Sequence, residues 1–363
     1  MFVLSNAALY VDTIPVLRWS VSILRIFAVL YAFIVAIPHL RFERYTRLVM
    51  IFFVVAGIFT VIHSGSIHAW AANAINSIGL ILLLYLSLQV SPKFTINWLS
   101  RIFECFIYLN FALTLLEPDG IFDGSYLLGL NRNQVGATLI CGLMTQYIAH
   151  KQVGRSLIAL ILLCAVSITT PILIGSMTSA IGCTLLSLFF FVPTKKIRKI
   201  ALITFFGFYL LFQAGIVFLQ KDLSDNRRAT FFIEEVLEKD LSFSDRYSVW
   251  QDSFEMIQHS PLTGYGVQDA EWFEKFFFVK SAHNILYQIQ IYGGYILLLI
   301  FLYIIFRAVK RSITQESELT TYTLEGILIF FFMMIVESYS LAHIFYMLGL
   351  VYYSYELAQE DVV

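Results

Sequence analysis

Charge is what this sequence has least of. Asp, Glu, Lys and Arg make up 13% of its 363 residues, about half the share a water-soluble domain carries. A soluble globule of this size could not clothe its surface with so few, which excludes an ordinary soluble enzyme. The formal net charge of −1 excludes a basic nucleic-acid binder. Proline and cysteine are scarce as well, seven and four residues. Cys105, Cys141, Cys164 and Cys183 lie in apolar stretches with no CxxC or Cys/His pairing. They read as small core residues, not as disulfides or metal ligands. What the chain has in quantity is hydrocarbon: 59% apolar and 16% aromatic residues, the opposite of a disordered composition. Lipid is the solvent that suits it.

A membrane-spanning helix needs about 20 mostly apolar residues. Eleven runs meet that need, near 17–37, 47–63, 70–90, 98–116, 134–150, 156–174, 178–193, 200–219, 285–306, 322–338 and 341–357. The expected fold is an all-α polytopic membrane protein with about eleven transmembrane helices. The two runs flanking Gly175 also fit one broken hairpin. Residues 1–15 are too polar to span, and no leader pattern precedes Leu17, so no cleaved signal peptide is expected.

Orientation follows from Lys and Arg in the short loops. Arg41, Arg44 and Arg47 follow the first run, Lys93 and Arg101 the third, Lys151 and Arg155 the fifth. Lys195, Lys196, Arg198 and Lys199 follow the seventh, and Arg307, Lys310 and Arg311 the ninth. These alternate loops hold 14 of the 24 basic residues. The intervening short loops hold only Arg132, so the N-terminus is expected outside and the C-terminus inside. One loop differs: residues 220–282 carry 19 of the 49 charged residues. Long loops translocate regardless of charge, and the topology places this one outside. The expected organisation is one integral membrane domain: an N-terminal bundle over 1–219, an external loop over 220–284 and C-terminal helices over 285–363. Tyr247, Trp250, Phe254 and Ile257 recur at helical spacing, with Ser244 or Asp245 as N-cap and Pro261-Leu-Thr-Gly264 as the stop. This spacing predicts an amphipathic helix at about 245–259, followed by the turn Gly264-Tyr-Gly266.

Polar chemistry concentrates on the expected outer face. Arg132, in Asn131-Arg132-Asn133, is the one cation of an acidic loop and stands at a helix start. It could hold an anion beside helix-terminal N–H groups, or pair with Asp123 or Glu117. Arg246 opens the loop helix, where a cation opposes the helix dipole; it faces an anionic ligand or an acidic neighbour such as Asp245. Arg227 and Arg228 read more simply as a solvated face. His283 stands where the loop re-enters the bundle. A neutral imidazole there is a competent general base, and a helix-capping role is the plainer reading. Arg25 is a charge inside a span, which is a functional hypothesis by default; an ion pair with Glu104 or Glu337 explains it nearly as well.

Taken in order, these residues resemble the bacterial O-antigen polymerase and ligase superfamily, the Wzy-type polysaccharide polymerases and WaaL-type ligases, whose fold is GT-C-like. Three passages carry the resemblance: Gly129-Leu-Asn131-Arg132-Asn133-Gln-Val-Gly136; Arg246-Tyr-Ser-Val-Trp250 running on to Pro261-Leu-Thr-Gly264-Tyr-Gly266; and Ala282-His283-Asn284 followed by Gly294. Two departures stand out. Met177 in Gly175-Ser176-Met177 occupies the place of a family arginine, for which Arg132 or Arg25 could substitute. Leu297 stands where ligases have a small residue or Tyr, which favours a polymerase. The resemblance implies an undecaprenyl-diphosphate-linked oligosaccharide donor, a lipid-linked acceptor hydroxyl, and no cofactor, nucleotide or metal. Arg132 and Arg246 would stabilise the departing diphosphate and His283 would deprotonate the acceptor. Asn131, Asn133, Asn284, Arg25, Gly264 and Gly266 would bind substrate. The product would be O-antigen, capsular or other exopolysaccharide, made at the outer face of the cell membrane with a flippase and a chain-length regulator as partners. A ligase of the same fold is the nearest alternative. A transporter or flippase for lipid-linked saccharide is the alternative of another class, and would show internal repeats and charges through the bundle.

Overall fold

A computed structural model describes residues 15–36, 43–120, 124–129, 131–192, 195–218, 246–314 and 317–359. Among them are thirteen α-helices and no strand, only an isolated bridge between Tyr126 and Gly129. The first eight helices are α1 (Pro15–Ala36), α2 (Arg44–Ile62), α3 (Ile67–Val90), α4 (Pro92–Leu116), α5 (Arg132–Val153), α6 (Leu157–Leu173), α7 (Met177–Phe191) and α8 (Lys195–Phe212). A π-helical turn, Gln213–Phe218, continues α8. Then come α9 (Arg246–His259), α10 (Ala270–Phe277), α11 (Ile285–Ile313), α12 (Glu318–Met333) and α13 (Leu341–Gln359). Each of the eleven apolar runs is a helix, and the amphipathic helix expected at 245–259 is α9. Its expected caps, Ser244 and Asp245, lie outside the described residues, as do Arg227 and Arg228.

Among the described residues five helices are long and apolar enough to cross a membrane by length and composition: α2, α3, α4, α11 and the stretch Lys196–Gly215. Five shorter apolar helical stretches, in α1, α6, α7, α12 and α13, accompany them. Large apolar side chains line the bundle's exterior, among them Phe27, Tyr31, Val54, Val61, Leu211 and Leu299. Such an exterior is stable only against lipid. The architecture is that of a helical membrane protein.

Two helices are internal. α5 is buried from Val135 to Ala149, and α13 from Leu341 to Ser354. α5 packs against α4, α6, α7, α12 and α13, while α13 also touches α2, α3 and α11. Because they meet protein on every side, their polar residues must find partners within the bundle. Thr145 Oγ1 lies 2.7 Å from Tyr346 Oη, and Thr138 Oγ1 lies 3.1 Å from His343 Nε2. α6 and α7 form a tight hairpin through Gly175, whose φ is +68°.

α11 is broken at Gly293 and Gly294, and the break is held by the turn after α9. The Tyr265 N–H donates to Ile291 O at 2.7 Å and the Tyr295 N–H to Pro261 O at 2.7 Å. Gly264 and Gly266 sit where a side chain would strike the backbone of α11 and of α2 respectively. Gly294 has φ +58°, and a Cβ there would lie 2.2 Å from the Leu262 carbonyl carbon. These motif glycines hold the turn against the broken helix. Gly294→Ala should therefore cost at least about 1–3 kcal/mol of stability. A lowered melting midpoint in detergent, with the activity of each remaining folded molecule unchanged, is the expected result; an unchanged midpoint with lost activity would place Gly294 in the site instead.

Candidate functional site

The site forms where three helix starts meet. Asn131 caps α5, its side chain accepting from the Asn133 and Gln134 N–H groups at 3.0 and 3.1 Å. Ser176 precedes α7 without a side-chain cap, so the first N–H groups of α7 are left without that partner. Asn284 caps α11. Between these starts lies a pocket of ≈ 150 Å³ lined by Arg132, Asn133, Gly175, Met177, Thr178, Arg246 and His283, with Val249 and Val279. The positive ends of α5 and α7 thus face one cavity beside two arginines.

Glu337, in the bend between α12 and α13, is the hub of the polar network. Its Oε1 accepts from Arg246 Nη2 and, at 2.8 Å, from Asn133 Nδ2. Its Oε2 lies 3.4 Å from His283 Nδ1. Asn133 extends the network to the hairpin: Ser176 Oγ is 3.2 Å from Asn133 Oδ1 and 2.8 Å from Ser179 Oγ. The neighbouring Tyr339 phenol is pushed well above its ordinary pKa by burial and then by the Glu337 charge, so it stays a neutral hydroxyl.

Arg132 stands apart from the Glu337 contacts. It is exposed, lines the pocket and has no carboxylate partner among the described residues; Asp123 lies outside them. Its Nη1 comes within 3.5 Å of where a side chain on Gly175 would begin. It therefore stands beside the hairpin turn at which Met177, not an arginine, faces the cavity. His283 is held in the left-handed region at φ +48°, a conformation costly for a side chain with a Cβ. Trp250, fully buried on α9, donates from Nε1 to the His283 carbonyl at 3.4 Å.

The sequence-expected residues divide into two groups. Arg132, Arg246, His283 and Asn133 meet in the pocket. Asn284 is fully buried: its Oδ1 accepts from Leu286 and Tyr287 N–H, and its amide donates to Ile335 O at 3.0 Å. Asn131 is committed to its cap, and Gly264 and Gly266 to the turn. Arg25 does not line the pocket; the carboxylates weighed as its partners are taken, Glu104 by Arg155 at 2.6 Å and Glu337 by Arg246. The central part of Glu337 was not legible beforehand, because a lone carboxylate deep in the sequence names no partner.

Chemically, the pocket can hold an anion and present an imidazole to whatever bears it. Glu337 pairs with Arg246 and Asn133, two residues of that cavity's lining, so Glu337→Gln should tighten inorganic pyrophosphate binding roughly fivefold, read by calorimetry on the detergent-solubilised protein. Unchanged or weaker binding would mean that the anion sits away from this carboxylate.

Comparison with known proteins adds one match. No curated protein matches the chain. The model of the O-antigen ligase family, Wzy_C, matches residues 159–302. That stretch runs from α6 into α11 and contributes Met177, Arg246 and His283 to the pocket, while Arg132, Asn133 and Glu337 come from outside it. Over residues 159–302 the chain is similar to the O-antigen ligase family, consistent with the O-antigen polymerase and ligase superfamily.

Proposed function

We propose that the protein polymerises oligosaccharide repeat units carried on undecaprenyl diphosphate, at the outer face of the cell membrane. The observation that carries this reading is the pocket in which Arg132, Arg246, the open start of α7 and His283 converge. A lipid diphosphate leaving group is an anion that departs from a sugar, and the two arginines fit it. Their planar guanidinium forks bind phosphate oxygens in pairs and keep their charge at any relevant pH. The leaving group already carries the activation, so the reaction asks the protein only for charge stabilisation and a proton acceptor.

In the proposed step the acceptor hydroxyl oxygen attacks the anomeric carbon of the donor. The bond from that carbon to the diphosphate oxygen breaks, and its electron pair leaves with the diphosphate. His283 Nε2 takes the hydroxyl proton. Glu337, 3.4 Å from Nδ1, would hold the tautomer that leaves Nε2 unprotonated; such contacts shorten when substrate closes the site.

The reading includes eleven spans, an outer N-terminus and an inner C-terminus. Its support is the separation of polar contacts into two ends. Arg132 and Arg155 bracket α5, about 33 Å long at 1.5 Å per residue, which matches the hydrocarbon core of a bilayer. The pocket is at the Arg132 end. At the other end Arg155 pairs with Glu104, Arg311 with Glu43 and Glu356, and Arg198 with Glu325. In this reading residues 1–219, 220–284 and 285–363 are bundle, external loop and closing helices of one membrane domain, working with a flippase and a chain-length regulator.

A ligase is the second reading, favoured by the matched family's description. The sequence feature set against it, Leu297, is fully buried in α11 and packs at the Gly293 break. The glycan ladder of cells lacking the protein separates the two. Single repeat units on the surface acceptor are expected for a polymerase, whereas long chains retained on the lipid carrier would identify a ligase.

Sidedness has its own test. Glu255 is exposed on α9, and Glu255→Cys in a Cys105→Ser background should react with a membrane-impermeant maleimide in intact cells, given outer-membrane access where needed. Cys141, Cys164 and Cys183 are buried and stay silent. Labelling only after lysis would reverse the orientation. For catalysis, His283→Ala should lower turnover per folded molecule by about 10²–10⁴-fold with donor affinity nearly intact. Near-normal turnover with reduced thermal stability would leave His283 a structural residue.

A further inference from the structure

A second cavity lies behind the first. It measures ≈ 190 Å³, and its lining includes Asn73, Gln134, Gln288, Tyr292, Ser338 and His343. The two cavities share a wall built from adjacent residues: Asn133 faces the first and Gln134 the second, and His283 faces the first and Ser281 the second. Glu337, which pairs with Arg246 and His283 on the first side, is followed by Ser338 on the second. The chemistry changes across that wall. The first cavity holds two arginines; among the described residues the second is lined by amides, hydroxyls, tyrosine rings, an imidazole and a few apolar side chains, with no carboxylate and with Lys280 as its lysine.

The second cavity is built and incompletely satisfied. His343 and Gln288 are 1% and 6% exposed, and both are fixed from behind, His343 by Thr138 and Gln288 by the Ala282 N–H at 2.8 Å. Gln134 Oε1 and Ser338 Oγ are enclosed yet have no hydrogen-bond partner among the described residues. Enclosed polar atoms of this kind are a cost that a ligand can relieve. A side-chain amide presents donor and acceptor together, which suits vicinal hydroxyls, and a tyrosine face suits the apolar side of a sugar ring. The space is somewhat larger than the cavities of about 150 Å³ that take one benzene-sized ring, the scale of a single monosaccharide.

We propose that this second cavity is the acceptor-sugar subsite, taking one uncharged monosaccharide ring, with Gln134 as a specificity-determining contact. The assignment rests on the transferase reading above. With the diphosphate among the arginines, the attacking hydroxyl has to come from the far side of the anomeric carbon, and the second cavity lies on the far side of the His283–Glu337 partition.

The test reads binding at each cavity separately. In a Cys105→Ser background, Ser340→Cys reports on the second cavity and Met177→Cys on the first, through their rates of maleimide labelling. The probes are inorganic pyrophosphate and neutral oligosaccharide released by mild acid from the source organism's own surface polysaccharide. The oligosaccharide should slow labelling of Ser340→Cys at least threefold and leave Met177→Cys unchanged; pyrophosphate should do the reverse. Adding Gln134→Leu should abolish protection by the oligosaccharide while protection by pyrophosphate persists, which also certifies the fold. If pyrophosphate protects and the oligosaccharide does not, or if Gln134→Leu changes nothing, the subsite assignment fails and the transferase reading stands. If the oligosaccharide protects Ser340→Cys and pyrophosphate protects nothing, the subsite is supported and the diphosphate site falls. Protection by neither probe overturns both.

Discussion

The pocket end of this molecule depends on one buried carboxylate. Glu337 draws Arg246 from the helix after the long loop, Asn133 from the central helix α5, and His283 from the loop that re-enters the bundle. Three segments more than a hundred residues apart at their extremes meet on two oxygen atoms. A carboxylate this enclosed is costly unless compensated. The guanidinium and the Asn133 amide supply the compensation, so the geometry of the pocket and the stability of Glu337 are one problem with one solution. Any account of Arg246 as an anion ligand must include it, since part of the arginine's charge is already answered. Arg132, with no such partner among the described residues, carries the cavity's net positive field.

The opposite end of the bundle is closed by different means. Arg198 and Glu325 are almost fully buried and doubly hydrogen-bonded, with the guanidinium over the Tyr322 ring. Arg311 joins Glu43 and Glu356, and Tyr352 donates to Glu43. Arg155 reaches both Glu104 and Ser100. These contacts staple helix ends that are distant in sequence. At the pocket end Gln134 Oε1 and Ser338 Oγ are enclosed without a hydrogen-bond partner among the described residues, and at the ion-paired end Gln152 Oε1 and Glu356 Oε2 are too. What distinguishes the two ends is charge pairing: carboxylates answer the arginines at one, while Arg132 lines the pocket at the other.

The sequence foretold the helices because a lipid solvent leaves its mark on every residue of a run. An apolar stretch such as 285–306 has few alternatives, and α11 forms there. α9 was legible for the opposite reason: its apolar residues are few and spaced at helical intervals, and of those the spacing picks out Trp250 and Ile257 are buried, beside Val249, while Phe254 is exposed. What periodicity could not give was long-range partnership. Asn131 and Asn284 precede apolar helices in a pattern that suits a cap or a ligand equally; their side-chain oxygens go to caps, and the Asn284 amide to Ile335 O. Gly264, Gly266 and Gly294 are sequence neighbours of the site, yet each marks a close backbone approach. Glu337 and the second cavity were hidden because they are assembled from segments with no local signature. Gln134 and His343 are ordinary polar residues until α5 and α13 are placed side by side.

The strain at His283 gains its meaning from this assembly. A histidine at φ +48° would relax if the chain around it could move. It is pinned on both sides: Ala282 N–H to Gln288, the His283 carbonyl by Trp250, Asn284 amide to Ile335 O, and Ile285 N–H to Met334 O. The last two anchors belong to the segment that carries Glu337. The Gly293–Gly294 break, clamped by the turn that follows α9, fixes the direction in which α11 leaves this loop. Local strain persists only where surrounding structure over-determines it. Here the over-determining contacts come from α9, from α11 and from the α12–α13 bend, the same elements that deliver Arg246 and Glu337. The imidazole is therefore placed by the fold rather than by its own loop, which is the condition for a group to act at a fixed point between two cavities.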